Sequence, residues 1–94
     1  MILSYRSRQT AASARGERIR AFTGFERQGW KRPEILDAAT SLDDLRQLPS
    51  NRLEALRGDR QGQFSILINL QWRICFEWPE QAIGPSNVEI VDYH

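Results

Sequence analysis

The sequence predicts an α+β fold in which N-terminal helices pack on an antiparallel β-sheet, within one domain spanning residues 1–94. Three observations carry this. The chain is long enough for one hydrophobic core and too short for two. Its first half is rich in Ala and Arg with few alternating stretches. Its second half alternates apolar and polar residues with period two, so that successive side chains take opposite faces of a strand.

Ile2–Arg6 alternates weakly and is expected to form a first strand. Gln9 to about Phe22 reads as a helix of modest quality, interrupted by Thr10, Ser13 and Gly16. Phe25–Ala39 looks like a second helix, with Gly29 and Pro33 inside it. Proline removes a hydrogen bond and clashes with the preceding turn. The expectation is either a kink or a helix that begins near Pro33, where proline in the first turn is tolerated. Ser41-Leu42-Asp43-Asp44 resembles a capped start, with a side-chain oxygen and acids at the positive end, and predicts a short helix over Leu42–Gln47. Pro49-Ser50-Asn51 is a turn.

Arg52–Leu56, Gln63–Ile68, Trp72–Trp78 and Val88–Tyr93 are the strands of the second half. Pro79–Asn87 is a polar loop with a Gly84-Pro85 turn. In the central pair, Phe64, Ile66 and Ile68 share one face, as do Trp72, Ile74, Phe76 and Trp78. Matching those faces places Ile68 opposite Trp72, Ile66 opposite Ile74 and Phe64 opposite Phe76. It leaves Asn69-Leu70-Gln71 as a three-residue loop, an allowed hairpin type. The same parity sets Leu67 opposite Arg73 on the face away from the apolar core, which is expected to be open.

Composition narrows the chemistry. A single cysteine, Cys75, permits no internal disulfide and fits a reducing compartment. The opening residues lack the apolar run of a signal peptide, and no stretch approaches the roughly 20 apolar residues that cross a bilayer, so a soluble cytoplasmic protein with no membrane partner is expected. One His and one Cys make a Cys/His metal site a poor reading, and no glycine-rich phosphate loop is present. No metal or other cofactor is expected. Residues 1–36 carry eight bases against three acids, and residues 37–94 five bases against nine acids. Twelve of the thirteen bases are arginine, whose guanidinium grips phosphate with two prongs. That skew leans toward an anionic partner.

A reaction on phosphate without metal needs cations to hold the anion and a group to move protons. Arg57-Gly58-Asp59-Arg60 sits at a turn after a strand, Arg73 lies on the central hairpin, and Asp92-Tyr93-His94 lies at the end of the last strand. An antiparallel meander can bring these three clusters together. Arg57 and Arg73 would then stabilise transition-state charge, His94 or Tyr93 would exchange protons, and Asp92 would orient a neighbour or tune its pKa. Cys75 reads as an inert, half-buried residue rather than a nucleophile.

The runs Asn51–Ile66, Ile68-Asn69 and Gln71–Phe76 resemble the central signature of the HigB branch of RelE-like toxins. Val88–His94 is similar to that family's ending, and Asp37–Arg46 matches as well. The resemblance is strong over residues 37–94 and weak before them. It implies a RelE-like fold and a toxin that enters the ribosomal A site and cuts messenger RNA, with the 2′-hydroxyl attacking the adjacent phosphate without metal. It also implies a partner, the helix-turn-helix antitoxin HigA, through which operator DNA is bound. The catalytic positions implied are Arg57, Arg73, Asp92, Tyr93 and His94, with Arg52 and Arg60 gripping RNA backbone. His94 would be the acid toward the leaving 5′ oxygen, or the base. Two departures stand out. Arg57 replaces what is usually lysine, and arginine hardly gives up its proton. The family often reads Ser-Ile-Arg-Ile-Asn where this chain has Ser65-Ile66-Leu67-Ile68-Asn69, so Leu67 removes a cation facing Arg73. That loss supports a second expectation, a weakly active or inactive toxin-fold binding module acting through antitoxin and operator DNA.

Overall fold

A computed structural model describes residues 1–26, 32–69 and 71–92, with the side chains of Phe25, Glu26, Arg32 and Pro33 outside that description. The element order is α1 (Arg8–Ala14), α2 (Thr23–Glu26), α3 (Arg32–Ala38), α4 (Leu42–Arg46), β1 (Glu54–Ala55), β2 (Gln63–Leu67), β3 (Trp72–Glu77) and β4 (Ser86–Asp92). The four strands form one antiparallel sheet in the order β1-β2-β3-β4.

The hairpin register follows from apolar matching. Phe64 pairs with Phe76, Ile66 with Ile74 and Leu67 with Arg73. The Ile68 and Asn69 amides both donate to the Trp72 carbonyl, and Asn69 Oδ1 accepts from the Gln71 and Trp72 amides, closing the short loop. Leu70 lies outside the described residues. On the inner face Ile66, Ile74, Phe76, Val88 and Ile90 pack with Phe22, Leu36, Ala39 and Leu45 from the helical half. Phe64 stacks on Phe76 and Phe22 meets Trp72 edge-on, geometries that aromatic quadrupoles favour.

The helical half departs from expectation where polar side chains are recruited to hold the sheet. The expected Gln9–Phe22 helix stops at Ala14, and Gly16 takes φ 89°, a left-handed value that ends the helix at little steric cost. A 3₁₀ turn follows at Arg20–Phe22. Thr10 is buried, and its hydroxyl accepts the Ile90 amide at 2.9 Å, seating α1 on the outer edge of β4. The expected Ile2–Arg6 strand is an extended segment with one parallel bridge, Tyr5 to Val88. Ser4 Oγ accepts the Asn87 amide there, so a side chain takes the place of a second bridge. This segment and α1 cover a strand edge that would otherwise expose its unpaired amides.

The expected Phe25–Ala39 helix is described in two pieces, α2 and α3, with Gly29 outside the described residues. Pro33 falls in the first turn of α3. Ser41 Oγ accepts the Asp44 amide and caps α4 as its sequence suggests. The Pro49–Asn51 turn is 3₁₀. Its fully buried Asn51 donates to the Leu45 carbonyl at 3.0 Å, binding the end of α4 to the chain that leads into β1.

Ile74 is 1% exposed at the centre of the core. Ile74→Ala should cost about 2–5 kcal/mol in urea unfolding, whereas Leu48→Ala, on an exposed side chain, should stay within about 0.5 kcal/mol. Equal effects would mean that the core lies elsewhere.

Candidate functional site

The face of the sheet turned away from the helices carries Glu54, Ser65, Cys75 and Glu89 in one cross-strand row, and Leu67, Arg73 and Val91 in the next. The sequence suggests that this face is open, and the structure closes most of it. Gln63, Ser65, Arg73 and Cys75 are all buried, so the central hairpin is covered on both sides at these positions. Arg60 reaches over this face to Gln63 and Glu89, and Arg73 bonds along it to Ser65.

The β1–β2 connection builds one wall. Leu56 donates its amide to the Gln63 carbonyl, after which Gly58–Arg60 forms a 3₁₀ turn. Gly58 (φ 65°) and Gly62 (φ 91°) take left-handed conformations that let the chain reverse tightly. The turn carries Arg57, which is exposed, and Arg60, which reaches across the sheet. Arg60 donates to Gln63 Oε1 at 3.1 Å and to Glu89 Oε1 at 3.3 Å on β4. Together Glu54, Ala55, Leu56, Arg57, Arg60, Ser65 and Cys75 line a cleft of about 340 Å³. Two arginines at such a cleft present donors to an anion, and Glu54 sets a carboxylate beside them.

Arg73 keeps the expected register, opposite Leu67, but is buried where an open face was expected. It is only 6% exposed and is not among the residues lining the cleft. Its Nε donates to Ser65 Oγ at 2.8 Å, and a terminal nitrogen donates to the Arg52 carbonyl at 2.8 Å and lies 3.9 Å from Glu54 Oε2. A buried guanidinium is tolerable only with such partners, because desolvating an unpaired charge costs several kcal/mol. Arg52 itself is exposed, with φ 47° and ψ 53°, a left-handed conformation rare outside glycine, asparagine and aspartate.

Of the expected site residues, the structure brings Arg57 and Arg60 to one cleft, while Arg52 and Arg73 lie outside its lining and Arg73 bonds to Ser65, which lines it. Asp92 is not brought there. It pairs with Trp72, one residue from Arg73 and so on the opposite face, and accepts from Gln71 Nε2 at 3.1 Å. Tyr93 and His94 lie outside the described residues. Glu54 and Ser65 belong to the site and were missed in the sequence. The parity that aligned β2 with β3 places Ser65 beside Cys75, but nothing in a two-residue strand reveals that Glu54 pairs with Ser65. Among the described residues, no group of three or more His, Cys, Asp and Glu side chains is gathered closely enough to hold a metal ion.

Fold and cleft together define a small α+β domain with a cationic site on the outer face of an antiparallel sheet. A family model described as "RelE-like toxin of type II toxin-antitoxin system HigB" matches residues 20–94. The chain belongs to this family. Toxin HigB-1 of Vibrio cholerae serotype O1 is 47% identical over 49 residues, 52% of each chain. Endoribonuclease HigB of Proteus vulgaris is 38% identical over 64 residues, 67% of this chain and 65% of its own length. The chain therefore spans between about half and two thirds of the length of these curated relatives. No helix among the described residues is long and apolar enough to cross a membrane.

Burial pushes the Cys75 thiol above its ordinary pKa, with Arg60 drawing it down and Glu89 raising it further in smaller measure. The folded thiol thus holds its proton more tightly than the unfolded one. Its contribution to stability is whole below the unfolded pKa of about 8.5 and is lost as pH rises through the folded value. Labelling of Cys75 with iodoacetamide at pH 8 should follow urea unfolding rather than precede it. Rapid labelling of the folded protein would show a thiol open to the cleft.

Proposed function

We propose that this chain acts as a single-domain cytoplasmic toxin, a ribosome-dependent endoribonuclease that cuts messenger RNA in the A site and so stops translation. The observation that carries the reading is the cleft in which Arg57 and Arg60 stand together over the outer face of the sheet, in a chain of the HigB family. In the reaction the 2′-oxygen forms a bond to the adjacent phosphorus and the bond from phosphorus to the 5′ oxygen breaks. One proton leaves the attacking hydroxyl and one reaches the departing oxygen. Arg57 and Arg60 hold the charge that develops on the phosphoryl oxygens, and Arg52 steers the RNA backbone. His94 or Tyr93 moves protons, with Asp92 nearby in sequence, as the family resemblance implies. No metal has a part in these steps. The name of the Proteus vulgaris relative, an endoribonuclease, supports the reaction class. A cognate antitoxin of the HigA kind, with its helix-turn-helix domain on operator DNA, would hold the toxin silent, in keeping with the toxin-antitoxin description of the family.

Leu67 favours a second reading. It pairs directly with Arg73 and puts an apolar side chain where a cation would add to the site. Absence of one charge-assisted phosphate contact can cost ~10²–10³-fold in rate. A chain so weakened would serve as a binding module, acting through its antitoxin and operator DNA.

Cleavage of messenger by the purified protein on programmed ribosomes, beside free RNA as control, separates the two. Wild-type protein should cut only on ribosomes, and Arg57→Ala should lower the rate by ~10²–10³-fold. Equal rates would remove Arg57 from the site. Tight antitoxin binding without any cleavage would favour the binding module. Leu67→Arg should raise the rate by up to ~10²-fold; no gain would mean that position 67 does not face the reacting phosphate.

A further inference from the structure

We propose that Arg73 is a positioning residue, whose guanidinium, seated on Ser65, holds the Arg52 carbonyl and thereby sets where the β1 strap carries Arg57 over the cleft. The inference rests on the cleavage reading above for its kinetic consequences and on geometry alone for its structural ones. Its directly opposite neighbours on the sheet, Leu67 and Val91, are apolar, so the polar end of Arg73 finds its partners toward β1. There Nε and a terminal nitrogen donate in a fork, to Ser65 Oγ and to the Arg52 carbonyl, both at 2.8 Å. Ser65 is fully buried and Arg73 nearly so. A planar guanidinium can serve two acceptors on different strands at once, which a lysine ammonium on a flexible stem does not reproduce.

The strap needs such a hold. Arg52 stands in a left-handed conformation that a side chain disfavours and that persists only where surrounding contacts impose it. Beyond it, only Glu54 and Ala55 pair with β2, and the Leu56 amide makes the last bond, to Gln63. Arg57 follows immediately. The strap is therefore pinned at its near end by Arg73 and at its far end by Leu56, and displacement of a catalytic group by about 1 Å can cost ~10²-fold in rate.

The test compares Ser65→Ala, Arg73→Lys, Arg73→Ala and the double variant Ser65→Ala/Arg73→Ala. The readouts are kcat and KM on programmed ribosomes and amide exchange at Leu56 in the isolated protein. Ser65→Ala and Arg73→Lys keep the volume or charge of the site, and they carry the test if Arg73→Ala fails to fold. Both should lower kcat by ~10-fold or more with little change in KM, and both should speed Leu56 exchange. The double variant should be no slower than Arg73→Ala, because the pair acts as one unit. Wild-type kcat in Ser65→Ala, or full activity in Arg73→Lys, would overturn the proposal and make Arg73 a point charge on the substrate. Unchanged Leu56 exchange in both variants would overturn it whether or not the protein cuts RNA. A wild-type protein that cuts no messenger, with Leu56 exchange responding as expected, would sink the cleavage reading and leave the strap intact.

Discussion

The pairing of Phe64 with Phe76 and Ile66 with Ile74 decides the placement of every side chain on the central hairpin. Strand side chains alternate, so a slip of one residue would exchange the two faces. It would drive Ser65 and Arg73 into the aliphatic core and turn Ile66 and Ile74 outward. The helical layer contributes Leu36, Ala39 and Leu45 against the inner face and makes that exchange very costly. The same register puts Ser65 beside Cys75 and Leu67 beside Arg73 on the outer face. The site is thus a by-product of core packing on the other side of the sheet.

Around that hairpin, buried polar side chains do the joining. Thr10 ties α1 to β4, Asn51 ties the end of α4 to the entry of β1, and Arg73 with Ser65 ties β3 and β2 to Arg52. Two of these bonds, Thr10 to Ile90 and Arg73 to the Arg52 carbonyl, join elements far apart in sequence. The neutral bonds each add about 1 kcal/mol and those of the Arg73 guanidinium about 1.5–3 kcal/mol, but each would leave a buried group unsatisfied if the pieces docked otherwise. In a chain with one cysteine and a small core, such bonds specify one arrangement rather than strengthen it. The rigidity they confer is inherited by the loop that carries Arg57 and Arg60.

The outer face carries a cationic cleft and, beside it, the buried Arg73 guanidinium. Arg60 is drawn toward Glu89 and Arg73 lies near Glu54, both partly exposed acids, while Arg57 stands exposed on the turn. An RNA phosphate approaching the cleft would compete with Glu89 for Arg60. Binding there trades one ion pair for another, and its strength would depend on salt as phosphate contacts do.

The sequence by itself determined the α+β class, the hairpin register, the cap of α4 and the family, because each depends on local pattern: period-two alternation, a side-chain oxygen before a helix, and ordered motifs. It also pointed to Arg57 and Arg60, which sit on one short turn. Tertiary structure alone decided the rest. Arg73 reads as an exposed cation because alternation reports which face a residue takes, not whether a long side chain folds back along it. Asp92 reads as part of a convergent cluster because its pairing with Trp72, one residue out of step with Arg73, is invisible in a linear sequence. Gln9–Phe22 reads as one helix but stops at Ala14, before the left-handed Gly16, and Thr10 within it spends its hydroxyl on Ile90, eighty residues away. The Arg52 turn and its hold by Arg73 depend on a contact across 21 residues, and no local propensity encodes it.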